Sequence, residues 1–231
     1  MEAELPSDII KQMSLRETPL SNSEFYHIYN RGVEKREIFS DKNDFLHFLD
    51  GLKEFNRPET IGSLYENSFR KNKGDLLGSS ASKLVDIVAY CLNPNHFHLI
   101  LKQNSDKGIE KFMHKLGTSY TKYFNNKNKR TGSLLQGRFK SKHIDNNEYL
   151  LYLSAYVNLN NKVHNIPENK LSLSSIKEYG EDIDDICKKS IILDQYKNSE
   201  EYIMTINKLL PELVRQKSEK RELEQEFGEI I

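Results

Sequence analysis

Cysteine is nearly missing from this sequence: Cys91 and Cys187 are the two thiols in 231 residues. Two cysteines cannot build a disulfide framework, and these make no Cys-x-x-Cys zinc knuckle. Such usage fits a reducing compartment, and Cys91, set in an apolar run, reads as a small core residue. Long hydrophobic stretches are missing too; none approaches the roughly 20 residues that span a bilayer. Met1 to Arg16 lacks the apolar block of a secretory signal. Neither export nor membrane insertion is expected, and the expected location is the cytoplasm. An excess of either charge is also absent, because 34 basic and 34 acidic residues cancel.

The cancellation hides a segregation. Lys107, Lys111, Lys115, Lys122, Lys127, Lys129, Arg130, Arg138, Lys140 and Lys142 are opposed by Glu110 alone. Acidic residues gather instead after residue 177, in Glu178, Glu181, Asp182, Asp184, Asp185, Glu200, Glu201 and the Glu-rich end. A basic middle of this kind suits a phosphate backbone. Hydrophobic content of 37% and charged content of 29% describe a polar globular chain, long enough to bury a core without covalent staples.

Periodicity supplies an element order. Residues 1–23 read as a loosely ordered lead-in, with a short helix near Ile9 to Met13. Glu24 to Gly32 reads as a strand ending in the turn signal Asn30-Arg31-Gly32. Ser40 or Asp41 caps a helix reaching about Phe55, with Phe45, Leu46, Phe48, Leu49 and Leu52 as its apolar stripe. Residues 57–82, rich in Gly, Ser, Asn and Lys, read as a mobile insertion. Leu84 to Leu92 and His96 to Lys102 form a hairpin around Asn93-Pro94-Asn95. A helix from about Gly108 to Phe124, a basic loop, a strand from Arg138 to Ile144 and a helix from Asn146 to about Leu159 follow. Strand, helix, strand, strand, helix, strand is the split βαβ order, so the expected class is α+β: a ferredoxin-like sandwich, antiparallel sheet with helices on one face, plus a C-terminal helical extension over 166–231. The expected catalytic unit is 24–165.

One motif stands out on this frame. On a strand, His96 and His98 share a face while Phe97, Leu99 and Leu101 share the other. Two imidazoles so placed can hold one metal ion, although isolated His-x-His patterns are common on half-buried strands. The last helix of the unit offers complementary groups. Tyr156 and Asn160, four apart, share a helix face; the amide oxygen can ligate a metal and the phenol can act as a nucleophile. Tyr149 and Tyr152 on neighbouring turns are rival nucleophiles. Lys111, Lys115, Lys122, Lys127, Lys129, Arg130, Arg138 and Lys140 are the candidate DNA contacts, and Tyr120, Tyr123 and Phe124 offer rings for base stacking.

These segments, taken together, resemble the REP-associated tyrosine transposases, a group of the single-tyrosine HUH transposase family (IS200-like domain). The matching stretches run in order: Tyr29-Asn30-Arg31-Gly32, Ile38-Phe39, Asn93-Pro94-Asn95-His96-Phe97-His98, Thr131 to Ser141, Glu148-Tyr149-Leu150 and Tyr156-Val157-Asn158-Leu159-Asn160. Together they cover about Phe25 to Val163. The resemblance implies an enzyme that cleaves and rejoins single-stranded DNA near hairpins through a 5′-phosphotyrosine. It also implies Tyr156 as nucleophile, and His96, His98 and Asn160 around Mg²⁺ or Mn²⁺. Two departures are visible: the insertion lengthens the first crossover, and the usual Asn-Pro after the catalytic helix reads Asn160-Asn161. Zinc completed by His114 or His143 is the competing metal assignment. The competing function is a non-catalytic or domesticated nucleic-acid-binding protein, for single-stranded DNA or RNA, with Tyr26, Tyr90 and Phe97 as stacking rings. Monomer and homodimer are both compatible with the sequence, and a nucleoid-associated location follows from the substrate.

Overall fold

In the computed structural model the described residues are 19–67, 82–167, 169–181 and 185–227. The helix expected near residues 9–13 and much of the insertion expected at 57–82 lie outside them. A five-stranded sheet organises the rest: β1 (Phe25–Arg31), β2 (Val85–Asn93), β3 (His96–Gln103), β4 (Lys140–Ile144) and the short β5 (Leu173–Ser174), in the spatial order β4-β1-β3-β2-β5. Every pairing is antiparallel. The order of the first four strands is that of a ferredoxin-like sheet, as the element order led one to expect.

Two crossover helices, α1 (Lys42–Glu54) and α2 (Gly108–Lys127), cover one face of the sheet. Asp41 caps α1 by accepting from the Asn43 and Asp44 amides, and Asp44 returns the contact in a capping box. Phe45, Phe48 and Leu52 point inward, and Phe48 meets Phe97 of β3 at 5.2 Å between ring centroids. Leu46, expected in the apolar stripe, faces outward instead, because the stripe is narrower than the run of apolar letters.

The opposite face is covered as well. Helix α3 (Asn147–Asn158), begun by the Asn146 cap, leads through Leu159 into the single turn α4 (Asn160–Val163). The extension adds α5 (Ile176–Gly180), α6 (Ser190–Leu193) and α7 (Ser199–Phe227). A buried polar network ties α7 to α3. The Asn158 amide donates to the Tyr202 hydroxyl at 2.8 Å and accepts from Ser175 Oγ at 2.6 Å, while Tyr202 donates to Ser154 Oγ. The extension is therefore packed on the helix that carries Tyr156. No described helix is long and apolar enough to cross a membrane.

Candidate active site

The hairpin between β2 and β3 is held by its neighbours. Pro94 O accepts from the amides of Ile38 and Phe39, and Asn95 O accepts from the amide of Gly32. Gly32 suits this position by size: a Cβ there would lie 2.2 Å from the carbonyl oxygen of Arg36. Just beyond, Glu34 and Lys35 adopt positive φ, and the Lys35 carbonyl turns to accept from Asn95 Nδ2 at 3.2 Å. The Asn95 side chain is thereby oriented so that its Oδ1 meets Nδ1 of His96 at 2.6 Å. An amide oxygen only accepts, so Nδ1 of His96 carries the proton and Nε2 carries the lone pair.

That lone pair has company. His96 Nε2 lies 3.3 Å from Asn160 Oδ1, and the Asn93 amide nitrogen stands between them, 3.0 Å from the one and 2.6 Å from the other. Two acceptors therefore converge on one electropositive group. Their spacing is near the roughly 3 Å that separates adjacent ligands around a six-coordinate Mg²⁺ with bonds of about 2.1 Å. His98 shares the face, its ring 5.2 Å from that of His96 and nearly perpendicular to it. Among the described residues no three histidine, cysteine or acidic side chains group as a metal site. A cation here would rely on the carboxamide of Asn160 as its third protein ligand, and the donor set fits one.

Tyr156 approaches from α3, its ring edge-on to His98 at 5.8 Å between centroids. Leu159 does not break the register: its amide bonds to Ala155 O and its carbonyl accepts from Val163, so the four-residue step from Tyr156 to Asn160 still returns to one face. Burial raises the phenol above its ordinary value, and the neighbouring Asn160 carboxamide pulls the other way. The rival phenols sit elsewhere. Tyr152 donates to Gln216 Oε1 of α7 at 2.5 Å, and Tyr149 lies under the ammonium of Lys142.

Several neighbours carry no signal in a linear reading. His27 of β1 meets His98 at 2.8 Å, and His164, after α4, lies 4.8 Å from His96 between ring centroids. Burial lowers all three strand imidazoles: His27 and His96 to about 4, and His98 well below its usual value. Lys217 of α7 adds to the depression of His96 and His98, so the extension brings a positive charge to the site. His114 and His143 are not there. His114 lies on α2 beside a groove with Met113 and Phe97, on the far side of the sheet, and His143 pairs with Glu24 at 2.8 Å.

The basic residues divide between the two faces. Cross-strand pairing places Arg31 and Lys140 beside His96 and Tyr29, on the histidine face. Lys111, Lys115, Lys122 and Lys127 ride on α2, behind the sheet. Two of these are engaged in holding the fold. Lys115 donates to the carbonyls of Arg57, Pro58 and Glu59 at 2.7, 3.1 and 2.9 Å, and Lys127 pairs with Asp41 and the buried Asp44 at 2.7 and 2.6 Å. Arg130 bonds Asn125 and the Ser133 carbonyl within its own loop. Lys122, Lys129, Arg138 and Lys140 are exposed.

The rings offered for base stacking are mostly core. Tyr120 is 1% exposed with its hydroxyl on the Ile38 carbonyl, Phe124 is buried, and Tyr123 stacks on His47. Tyr26, Tyr90 and Phe97 are buried too, so the sheet offers no stacking platform made of them. Helical and strand periodicity cannot tell an aromatic beneath a helix from one presented to a ligand.

Comparison with known proteins agrees with this architecture. Residues 70–160 match the family model described as transposase, IS200-like. Among solved structures, a REP-associated tyrosine transposase bound to a REP hairpin aligns with a TM-score of 0.50 at 13% identity, over 75% of this chain and 90% of that one. No curated protein matches. The segment from residue 70 to residue 160, which carries the histidine pair, Tyr156 and Asn160, is thus similar to the IS200-like transposases, and the chain shares the fold of that REP-associated enzyme.

Proposed function

We propose that this protein is a metal-dependent, single-stranded DNA transesterase of the transposase type, acting in the cytoplasm on nucleoid DNA next to hairpins. The family match supports the reaction class. The observation that carries the residue assignment is the approach of the Tyr156 ring to His98, with Asn160 and His96 on the same side. The catalytic unit is residues 24–165, and 166–231 is a covering extension. Tyr156 and the imidazoles come from one chain, which supports action in cis by a monomer or by each half of a homodimer.

His96, His98 and Asn160 would hold Mg²⁺ or Mn²⁺; when bound, such an ion neutralises charge on the scissile phosphate. Tyr156 Oη attacks the phosphorus in line. The bond from Oη to phosphorus forms, the bond from phosphorus to the 3′ oxygen breaks, and the phenolic proton ends on the released 3′-OH by way of solvent. A second DNA 3′-OH reverses the exchange, so no nucleotide hydrolysis is needed. The Asn160 carboxamide favours the ionised phenol against its burial. Arg31 and Lys140 take DNA phosphates near the site, while Lys111, Lys122, Lys129 and Arg138, which shares the groove of His114, serve strands that wrap behind the sheet.

A denaturing gel with a 3′-labelled hairpin oligonucleotide and Mn²⁺ tests this, because the fragment downstream of the break is the one that stays on the tyrosine. Wild-type protein, Tyr149→Phe and Tyr152→Phe should form a covalent adduct, and Tyr156→Phe should not while still binding the hairpin. Adduct formation by Tyr156→Phe would overturn the assignment.

A further inference from the structure

Each histidine of the pair is held from behind, on its Nδ1. For His96 the partner is Asn95 Oδ1, at 2.6 Å. For His98 it is a second imidazole: Nε2 of His27 lies 2.8 Å from Nδ1 of His98, with the rings near-parallel at 5.0 Å between centroids. His27 is 8% exposed and His98 is 9% exposed, so neither contact is a surface accident.

Two neutral imidazoles sharing one hydrogen bond have two possible arrangements. If His27 donates, His98 accepts on Nδ1 and its own proton must sit on Nε2. If His27 accepts, His98 carries its proton on Nδ1 and its lone pair lies on Nε2. The second arrangement alone makes His98 a ligand, because Nδ1 is already occupied by His27. It also matches the tautomer that Asn95 imposes on His96. A neutral ring can serve as acceptor without placing the uncompensated negative charge of a carboxylate inside the protein.

We infer that His27 is a positioning residue of the cation site: its Nε2 accepts the Nδ1 proton of His98, which fixes that ring and leaves its Nε2 lone pair for the metal. The inference rests on the reading of His96, His98 and Asn160 as cation ligands. A partner of this kind orients the ligand and raises its basicity, and its loss typically weakens metal binding about 10–100-fold.

The test is a Mn²⁺ titration of the metal-stripped full chain, followed by the electron paramagnetic resonance signal of free Mn²⁺. His27→Phe keeps the ring packing and removes the acceptor, so its Mn²⁺ dissociation constant should rise about 10–100-fold. His27→Gln restores an acceptor oxygen and should recover most of the loss. On the unaltered chain, two-bond ¹⁵N–¹H correlation spectra should place the His98 proton on Nδ1, a readout that holds even where a variant fails to fold. Wild-type Mn²⁺ affinity in His27→Phe, beside lost affinity in His96→Ala, would overturn the inference and leave the metal reading standing; so would a His98 proton on Nε2. Wild-type affinity in both His96→Ala and His98→Ala would remove the metal reading itself, and the inference with it.

Discussion

Lowering the pH should destabilise this protein well before its carboxylates titrate. His27 has an ordinary value of 6.5 and is lowered to about 4 in the fold, with burial as the main cause and the Lys142 charge as the second. Its folded value is depressed, so the unfolded chain binds the proton more tightly. The stabilisation is therefore complete above pH 6.5 and is lost as pH falls toward 4. For this one group the loss between pH 7.5 and pH 5 is about 2 kcal/mol, rising toward about 3 kcal/mol by pH 4. His96, also lowered to about 4, adds a comparable amount, so the two together give about 4 kcal/mol at pH 5. His98 strengthens the trend, since a proton on any of the three rings repels protons on the others. Urea unfolding at pH 7.5 and pH 5, in the presence of a chelator, measures the difference directly. His27→Phe should reduce the pH dependence by about 2 kcal/mol. Equal stability at the two pH values, or greater stability at pH 5, would show that these imidazoles are not buried as neutral rings.

Other perturbations report on the supports of the site. Asn158→Ala removes the amide that joins Tyr202 to Ser175, and both hydroxyls stay buried; the expected cost is about 2 kcal/mol. That should lower the melting temperature by about 4–8 °C for a chain of this size, and hydrogen exchange should rise first in α7. Gly32→Ala forces a methyl group against the Arg36 carbonyl. It should destabilise by about 1–3 kcal/mol and weaken adduct formation by displacing the hairpin that carries His96; an unchanged melting temperature would refute the steric argument.

Much of the framework was legible because local backbone geometry dictates it. A strand alternates its side chains, so His96 and His98 had to share a face opposite Phe97. A helix returns every four residues, so Tyr156 and Asn160 had to come together. The Asp41 and Asn146 caps and the Asn-Pro-Asn turn likewise need only neighbouring residues. Periodicity failed where a side chain's partner came from a distant element. Tyr120 and Phe124 share the spacing of a stacking surface, yet they lie under α2. Lys115 and Lys127 share a basic helix with Lys122, yet carbonyls of a neighbouring loop and the carboxylate of Asp44 already engage them.

The sequence by itself determined the order of elements and which residues each element presents together, because those relations are set by chain geometry over a few residues. Tertiary structure alone decided that His27 falls behind His98, that Lys217 reaches the imidazoles from the far end of the chain, and that the basic residues divide between two faces. Each of these depends on strand register and helix docking, which are chosen by the burial of the whole core rather than by any segment of it.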